Sequence, residues 1–598
     1  MKLLKGLTSN NSGLNNSGFT IIETLVALAI FLVISYYTYS TANGLYEIAV
    51  KNQWRADAIA AVENEIEIVR NLAYSDIGIS GGYPTGQLLS PKTVSIGGTN
   101  FVISTTVRNI DDPFDGVAGG NPNDTAPADY KLVEFEVNCP TCANFATFKI
   151  TTTAAPKNLE TATRNGSLFI NVFDANGQPV SQANVSIVND ELNPTISISD
   201  QTNNDGVLQL VDIPTSTVAY KIAVSKNGYS SERTYSSSEI NNATPAKPHS
   251  TVVEQQVTAI SFSVDKTSSL NFTSADPLCQ PISYVNYLLS GTKLLGSNPD
   301  VLKYSASSTT GSSGIKTISN LEWDTYDLTN LDADYEIIGT LPDLPLTINP
   351  DTGNSLKWIM SAKQPQTLFI NVKDENNQPL SGASVNLTKS SFDETLITGR
   401  YLFSQTAWFN QYFSQSGNIE DNNPDGEIKL KLIDNKYPTS TAEWLISNTF
   451  DLGTSNVSFY NISWQPENQP AAAGNESLKI QIASNNDNNT WNWSGPDGAE
   501  NSYYTTSDSQ IYSGHNNKRY FRYKIFMQTA DENFTPSLNE IKIDFNSSCV
   551  SGGQTFFNNL SSGVYNLTIT KSGYQTYADS AVSVYNDWQE YKATLIEN

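Results

Sequence analysis

An apolar run carrying a single carboxylate constrains this chain more than any other feature. Gly18 is followed by Phe19-Thr20-Ile21-Ile22-Glu23-Thr24-Leu25, and apolar residues continue to Ile34. As a helix, such a run approaches the roughly 20 residues needed to cross a bilayer. An ionisable group at that depth is costly and is kept where it has a task. The order of the parts excludes an ordinary secretory signal, in which the apolar core precedes a small-residue cleavage site. Here the small residue, Gly18, comes first, behind a polar leader whose only charges are Lys2 and Lys5.

The helical pattern outlasts the membrane. Leu45, Ile48, Ile59, Val62, Ile66, Val69 and Leu72 follow, the later ones every three or four residues, which marks an amphipathic helix. No proline falls before Pro84, and Gly81-Gly82 sets the latest stop. Gly44 is the one weak point, at about 1 kcal/mol against alanine. Residues 19–74 are therefore expected to form one helix about 80 Å long. Its membrane half is 19–41, and its charged second half packs on a globular head rather than in a coiled coil.

Gly18-Phe19-Thr20, two apolar residues and Glu23, leading into an apolar helix, resemble the prepilin processing motif of type IV pilins and pseudopilins. The resemblance implies that residues 1–18 are a leader. A membrane peptidase would cut between Gly18 and Phe19, and the new amine of Phe19 would be methylated. It also implies a role for Glu23 in assembly. A carboxylate in hydrocarbon needs a partner, and the amine of a neighbouring subunit supplies one. The bland alternative is a plain membrane anchor with an incidental glutamate.

With 598 residues the chain should hold several domains. A formal net charge of −25 argues against a broad nucleic-acid surface, which would be basic. Few charged residues and many Asn, Ser, Thr and Tyr read as extracellular β-structure. Two histidines leave little material for a His-based metal or catalytic site.

After the helix, residues 75–158 read as a pilin-like β head, with strands over Lys92–Ile96, 100–107, 130–137 and 145–152. Its loop Asn109-Ile110-Asp111-Asp112-Pro113-Phe114-Asp115-Gly116, continuing to Asp124 and Asp129, clusters carboxylates around turns. Such a loop can cage calcium, which takes six to eight oxygens, with Asp111, Asp112, Asp115 and Asp124 as candidate ligands. Major pseudopilins carry a calcium site in a similar loop, so the resemblance points the same way. The alternative is a solvated Asp-rich turn. Cys139-Pro140-Thr141-Cys142 lies between two strands and reads as a hairpin turn, not a redox motif at a helix start. In an exported chain a disulfide closing it is expected. Cys279 and Cys549 remain, and four cysteines allow three connectivities between which sequence does not choose.

Beyond a linker at 159–165 a repeat begins. Leu168-Phe169-Ile170-Asn171-Val172-Phe173-Asp174-Ala175-Asn176-Gly177-Gln178-Pro179 matches Leu368-Phe369-Ile370-Asn371-Val372-Lys373-Asp374-Glu375-Asn376-Asn377-Gln378-Pro379. Lys226-Asn227-Gly228-Tyr229 likewise matches Lys571-Ser572-Gly573-Tyr574. Strand, Gln-Pro turn, strand and Gly-Tyr turn resemble the carboxypeptidase regulatory-like domain, which implies small, non-catalytic β-sandwiches of prealbumin-like or Ig-like type. Copy one covers 166–263. Copy two is split into 366–400 and 550–598, and a diverged sandwich, 264–363, lies between the copies. There Trp323 is expected in the core, and 342–350 as a turn. The insert, 401–549, looks like a jelly-roll or discoidin-like sandwich. Within it Trp491, Trp493, Tyr503 and Tyr504 form an aromatic, turn-rich segment suited to stacking on sugars, although core roles compete for most of the tryptophans.

The fold class expected is thus mostly β and multidomain, with a long N-terminal helix. The leading function is a non-enzymatic, prepilin-like surface protein, processed by prepilin peptidase. It would join other pilin subunits through its helix as a large minor or tip component of a type IV pilus-like filament, displaying modules for adhesion. The chain would sit in the cytoplasmic membrane by one helix, its bulk outside, on the cell surface or pilus after assembly. Surface glycans or another cell are the expected partners. The alternatives are a pseudopilin of a secretion or DNA-uptake machine, or a membrane-anchored glycan-binding protein. No nucleophile, metalloprotease or phosphate-loop motif supports an enzyme. Glu443, Asp451 and Asp497 are available in the insert, but no spacing marks an acid/base pair.

Overall fold

The computed structural model describes residues 20–157 and 163–598. Gly18, Phe19 and part of the linker lie outside them. Helix α1 runs Ile21–Asn71 and passes through Gly44 unbroken, 51 residues or about 76 Å. It ends a little before residue 74. Leu72 turns extended (φ −76°, ψ 150°), its N–H still donating to the Ile68 carbonyl at 3.1 Å. The first half is long and apolar enough to cross a membrane and packs on none of the other described residues; Ile21 is 80% exposed and Phe31 66%.

The second half of α1 packs on an antiparallel meander of β1 (Lys92–Ile96), β2 (Thr99–Ile110), β3 (Tyr130–Asn138) and β4 (Phe148–Ala154). The contact face is the expected one at Val62, Ile66, Val69 and Leu72 but not at Ile59. Ala58, Ala61, Val62, Glu65 and Val69 are buried against Phe101, Ile103, Val133 and Phe135, whereas Ile59 stays exposed. The alanines let the helix close onto the sheet, and buried Glu65 is paired with Lys92 Nζ at 2.6 Å.

Strands from 166 to 263 form two sheets around one core of Leu168, Ile170, Val172, Val185, Ile187 and Tyr220. In one sheet Gly166–Phe173 pairs parallel with Val257–Ser263 and antiparallel with Val207–Ile213. The same arrangement recurs later: Thr367–Asp374 pairs parallel with Trp588–Leu595 and antiparallel with Gln554–Phe557. The repeated motifs have a physical reason. Asp174 Oδ1 accepts from the N–H groups of Asn176 and Gln178, each at 2.8 Å, and Asp374 does the same with Asn376 and Gln378. Lys226 Nζ donates to the Ser181 carbonyl at 2.8 Å, and Lys571 Nζ to that of Ser381 at 2.7 Å. The glycines before Tyr229 and Tyr574 have φ of +77° and +87°, open to glycine without strain.

Between them, 268–362 forms two four-stranded sheets around Phe272, Tyr287, Tyr326 and Trp358. Trp358, not Trp323, is the core tryptophan. Trp323 is half-buried under Lys293 Nζ, 3.2 Å from its ring centroid. The stretch 342–350 is not all turn, since Leu346–Ile348 pairs with Asp324–Tyr326. Three tyrosines reach back to nearby backbone: Tyr220 to Pro214 O (2.6 Å), Tyr326 to Glu322 O (2.9 Å) and Tyr565 to Ser561 O (2.8 Å). This corner device, known from Ig-like sandwiches, is shared by all three.

The segment 401–549 leaves the second copy between Thr398 and Gly553. Their counterparts in the first copy, Thr202 and Gly206, are joined by a four-residue turn. Both threonine hydroxyls accept from the N–H of a buried alanine, Ala183 or Ala383, at 3.0 Å. Both glycines sit at φ near +71°, their carbonyls bonded to Val172 N and Val372 N. The insert builds its own core on Trp408, Trp464, Tyr504 and Tyr523, between one sheet containing Glu540–Asn546 and another centred on Tyr520–Met527.

Neighbouring units are tied together. Glu336, 1% exposed, accepts from Thr367 Oγ1 at 2.9 Å and Gln364 N at 3.1 Å. Trp588 Nε1 donates to Ile337 O at 2.7 Å. This cover explains why Phe369 is buried on the outer face of its sheet, while Phe169 in the first copy is half-exposed. Arg108 of the head forms a bidentate pair with Asp200 of the first copy.

Candidate functional site

The N-terminal site is built from helix chemistry. Thr20 is the N-cap of α1; its side chain accepts from Glu23 N at 3.3 Å. Glu23 Oε2 in turn accepts from Thr20 N at 3.0 Å and Thr20 Oγ1 at 2.9 Å. This reciprocal capping box gives the carboxylate hydrogen bonds, with no cation beside it among the described residues. Thr-x-x-Glu was present in the sequence as the signal for it, and the sequence reading passed over it.

In the head loop, carboxylate oxygens of Asp111, Asp124 and Asp129 lie within 4.8 Å of one another. Asp129 thus stands where Asp112 and Asp115 were expected. Asp112 Oδ1 accepts from Phe114 N at 3.1 Å, and Asp115 is exposed. Burial, and then the neighbouring carboxylates, push Asp129 up to about 6 and Asp111 above its ordinary value. Asp111 Oδ1 and Asp124 Oδ2 are buried without a hydrogen-bond donor. Acceptors without donors in a like-charged cluster fit a hard cation, and these three residues would hold it.

Cys139 and Cys142 are disulfide-bonded across their turn, and Cys279 is bonded to Cys549.

In the insert, the aromatic segment divides. It returns beside the strand Leu478–Asn485 through bridges of Ser494 to Ile482 and Tyr504 to Ile480. Consecutive residues of an extended segment face opposite ways, so Tyr503 and Tyr504 cannot share a surface. Tyr504 is 1% exposed, its hydroxyl accepting from Tyr512 N at 3.0 Å, and offers no face to a ligand. Tyr503 and Trp491 stand on the outer sheet face under Lys479 (4.4 Å) and Arg522 (4.3 Å), and Trp493 is half-buried in the same segment. Trp444, Phe413, Lys524 and Phe526 share that face; they come from strands distant in sequence and were missed. The alternation in Tyr520–Met527 was the available signal, with Phe521, Tyr523, Ile525 and Met527 inward and the rest outward.

The insert's carboxylates are engaged structurally. Burial raises Glu443, but hydrogen bonds from Asn418, Ser416 and Thr441 outweigh it and leave it below its ordinary value. Asp451 is held bidentate by Arg519 at 2.7 and 2.9 Å. Asp497 caps Ala499 N at 2.9 Å. His515 bridges Ser484 Oγ (2.9 Å) and Ser494 Oγ (3.1 Å), a buried tie between strand and returning segment.

The prokaryotic N-terminal methylation motif matches residues 14–35. Residues 14–35 thus form a prepilin-type N-terminus, and it sits on a body made mostly of β-sandwiches. The motif implies processing by prepilin peptidase, assembly with other pilin subunits and anchoring by the apolar helix. No curated protein matches the sequence. Among solved structures, the Bacillus anthracis TIE protein is similar at 12% identity over 52% of this chain and 66% of its own, TM-score 0.15. A streptococcal ancillary pilin is similar at 13% identity over 38% and 75%, TM-score 0.18. The shaft pilin SpaA of Lactobacillus rhamnosus GG is similar at 11% over 33% and 98%, TM-score 0.14. Likenesses this weak carry no weight for function.

Proposed function

We propose that the chain is a minor, tip-located, non-enzymatic subunit of a type IV pilus-like filament that displays its sandwiches for adhesion. The observation that carries this reading is the contrast within one chain. A single helix has an unpacked apolar half, and about ten times as many residues of β-rich body follow it. Many copies of such a body would crowd a helical array, whereas one at the end would not. In this reading residues 1–18 are removed, Phe19 is methylated, and the Glu23 carboxylate exchanges its Thr20 hydrogen bonds for the amine of a neighbouring subunit. Two regulatory-like sandwiches, a diverged one between them and the insert extend outward. The Asp111, Asp124 and Asp129 cluster binds calcium and steadies the head loop beside the first sandwich. Surface glycans are the ligands, and none of the insert's carboxylates acts as an acid or base. Immunogold labelling of filaments against the insert tests the tip assignment. Label at filament ends is expected, and label spaced along the shaft contradicts it.

A further inference from the structure

The insert's second sheet presents an organised outer face. Tyr520–Met527 runs between Leu478–Asn485 and Glu443–Ser447. The register sets Phe526 beside Trp444 and Lys479, and Lys524 beside Ile446 and Gln481. Five cation–aromatic contacts gather here. The Arg522 guanidinium lies over both Phe413 (4.1 Å) and Trp491 (4.3 Å). Lys524 Nζ lies between Trp444 (5.0 Å) and Phe526 (4.7 Å). Tyr503 meets Phe526 edge-on at 5.3 Å and carries Lys479 at 4.4 Å. Phe413, at the rim, is 61% exposed.

The cations are unusual for this chain. It has 60 acidic residues against 35 basic. Yet among the described residues no carboxylate lies within ion-pair distance of Arg522, Lys524 or Lys479. The one side-chain hydrogen bond of Arg522 goes to Thr449 Oγ1 at 2.7 Å. Burial alone lowers Arg522 and Lys524, with no acidic neighbour to offset it. Three positive groups are thus held in place by rings, partly stripped of water and left without counter-charge.

We propose that this face binds an acidic polysaccharide: rings stack on sugar faces while Arg522, Lys524 and Lys479 pair with carboxylates spaced along the glycan. Aromatic rings with interleaved cations also suit single-stranded nucleic acid. Three cations on a body of net charge −25 favour the polymer of lower charge density, because the long-range field repels a strand with a phosphate on every residue. This rests on the reading of the body as an adhesive display, but not on filament assembly.

The test uses the full chain in detergent micelles, with three probes: hyaluronate, which carries a carboxylate on every second sugar, its methyl ester and oligo(dT). Hyaluronate should bind, and the uncharged ester at least about tenfold more weakly, as expected when a charged partner is lost. The double variant Arg522→Gln, Lys524→Gln should lose about tenfold or more, and so should Phe413→Ser, whose exposed position spares the core. Each variant is accepted only with wild-type thermal unfolding. Equal binding of acid and ester, no effect of the variants, or tighter binding of oligo(dT) would overturn the proposal. Binding that survives while cells fail to adhere would instead overturn the adhesive reading alone.

Discussion

Cys279 and Cys549 are joined although 270 positions separate them in sequence. The bond ties the middle sandwich to the far end of the insert and closes a loop that contains most of both. A pull between the chain ends therefore bypasses everything inside it. In single-molecule stretching, the oxidised chain should hide a contour length of roughly 950 Å at about 3.5 Å per residue. Reduction, or Cys549→Ser, should release it. Equal extension with and without reductant would contradict the closed loop.

The two repeated sandwiches make a paired prediction. A Cβ on Gly206 would meet Val172 O at 2.5 Å, and one on Gly553 would meet Val372 O at 2.6 Å. Both positions also have positive φ. Gly206→Ala and Gly553→Ala should each cost roughly 1–3 kcal/mol, measured by denaturant unfolding, and by similar amounts. A neutral effect at either site would contradict the shared geometry.

His515 makes the insert acid-sensitive. Burial pushes it down to about 4 from an ordinary 6.5. The unfolded chain therefore takes up a proton first as pH falls. The contribution is intact above pH 6.5, declines between 6.5 and 4, and is lost below that, about 3 kcal/mol in all. Calorimetry should show the insert's transition falling across this window in wild type and less steeply in His515→Asn. Parallel slopes would contradict the assignment.

Calcium should raise the melting temperature of the head. A concentration a hundredfold above Kd would add about 2.7 kcal/mol. Asp124→Asn should abolish the effect, and Asp115→Asn, at an exposed residue outside the cluster, should leave it unchanged. Loss of the effect in Asp115→Asn as well would place the ligands as the sequence suggested, and a calcium response that survives Asp124→Asn would contradict the cluster.

What could be read from the sequence was whatever is local. The Asp174 and Asp374 turns are held by bonds within four residues, and the alternation along β1 to β3 is a local pattern, so both survive in order along the chain. Features set by distant packing were misread. Ile59 looked like the helix's inner face, but the sheet selects Ala58 and Ala61, whose small size is not a hydrophobic signal. Trp323 and Trp358 are alike in sequence, and strand register alone decides which is core. Asp129 joins Asp111 and Asp124 because β2 and β3 pair Ile110 with Tyr130, across nineteen intervening residues. The aromatic face draws on Phe413, Trp444, Trp491 and Arg522, which only the sheet brings together.

The central claim is that the chain enters a filament through a processed, self-capped helix. Mass spectrometry of the mature N-terminus, after expression with a prepilin peptidase, tests it most directly. A chain that begins at methylated Phe19 is predicted, in wild type and in Glu23→Ala, with only wild type recovered in filaments. A chain that still begins at Met1 would contradict the account and leave a membrane-anchored surface protein.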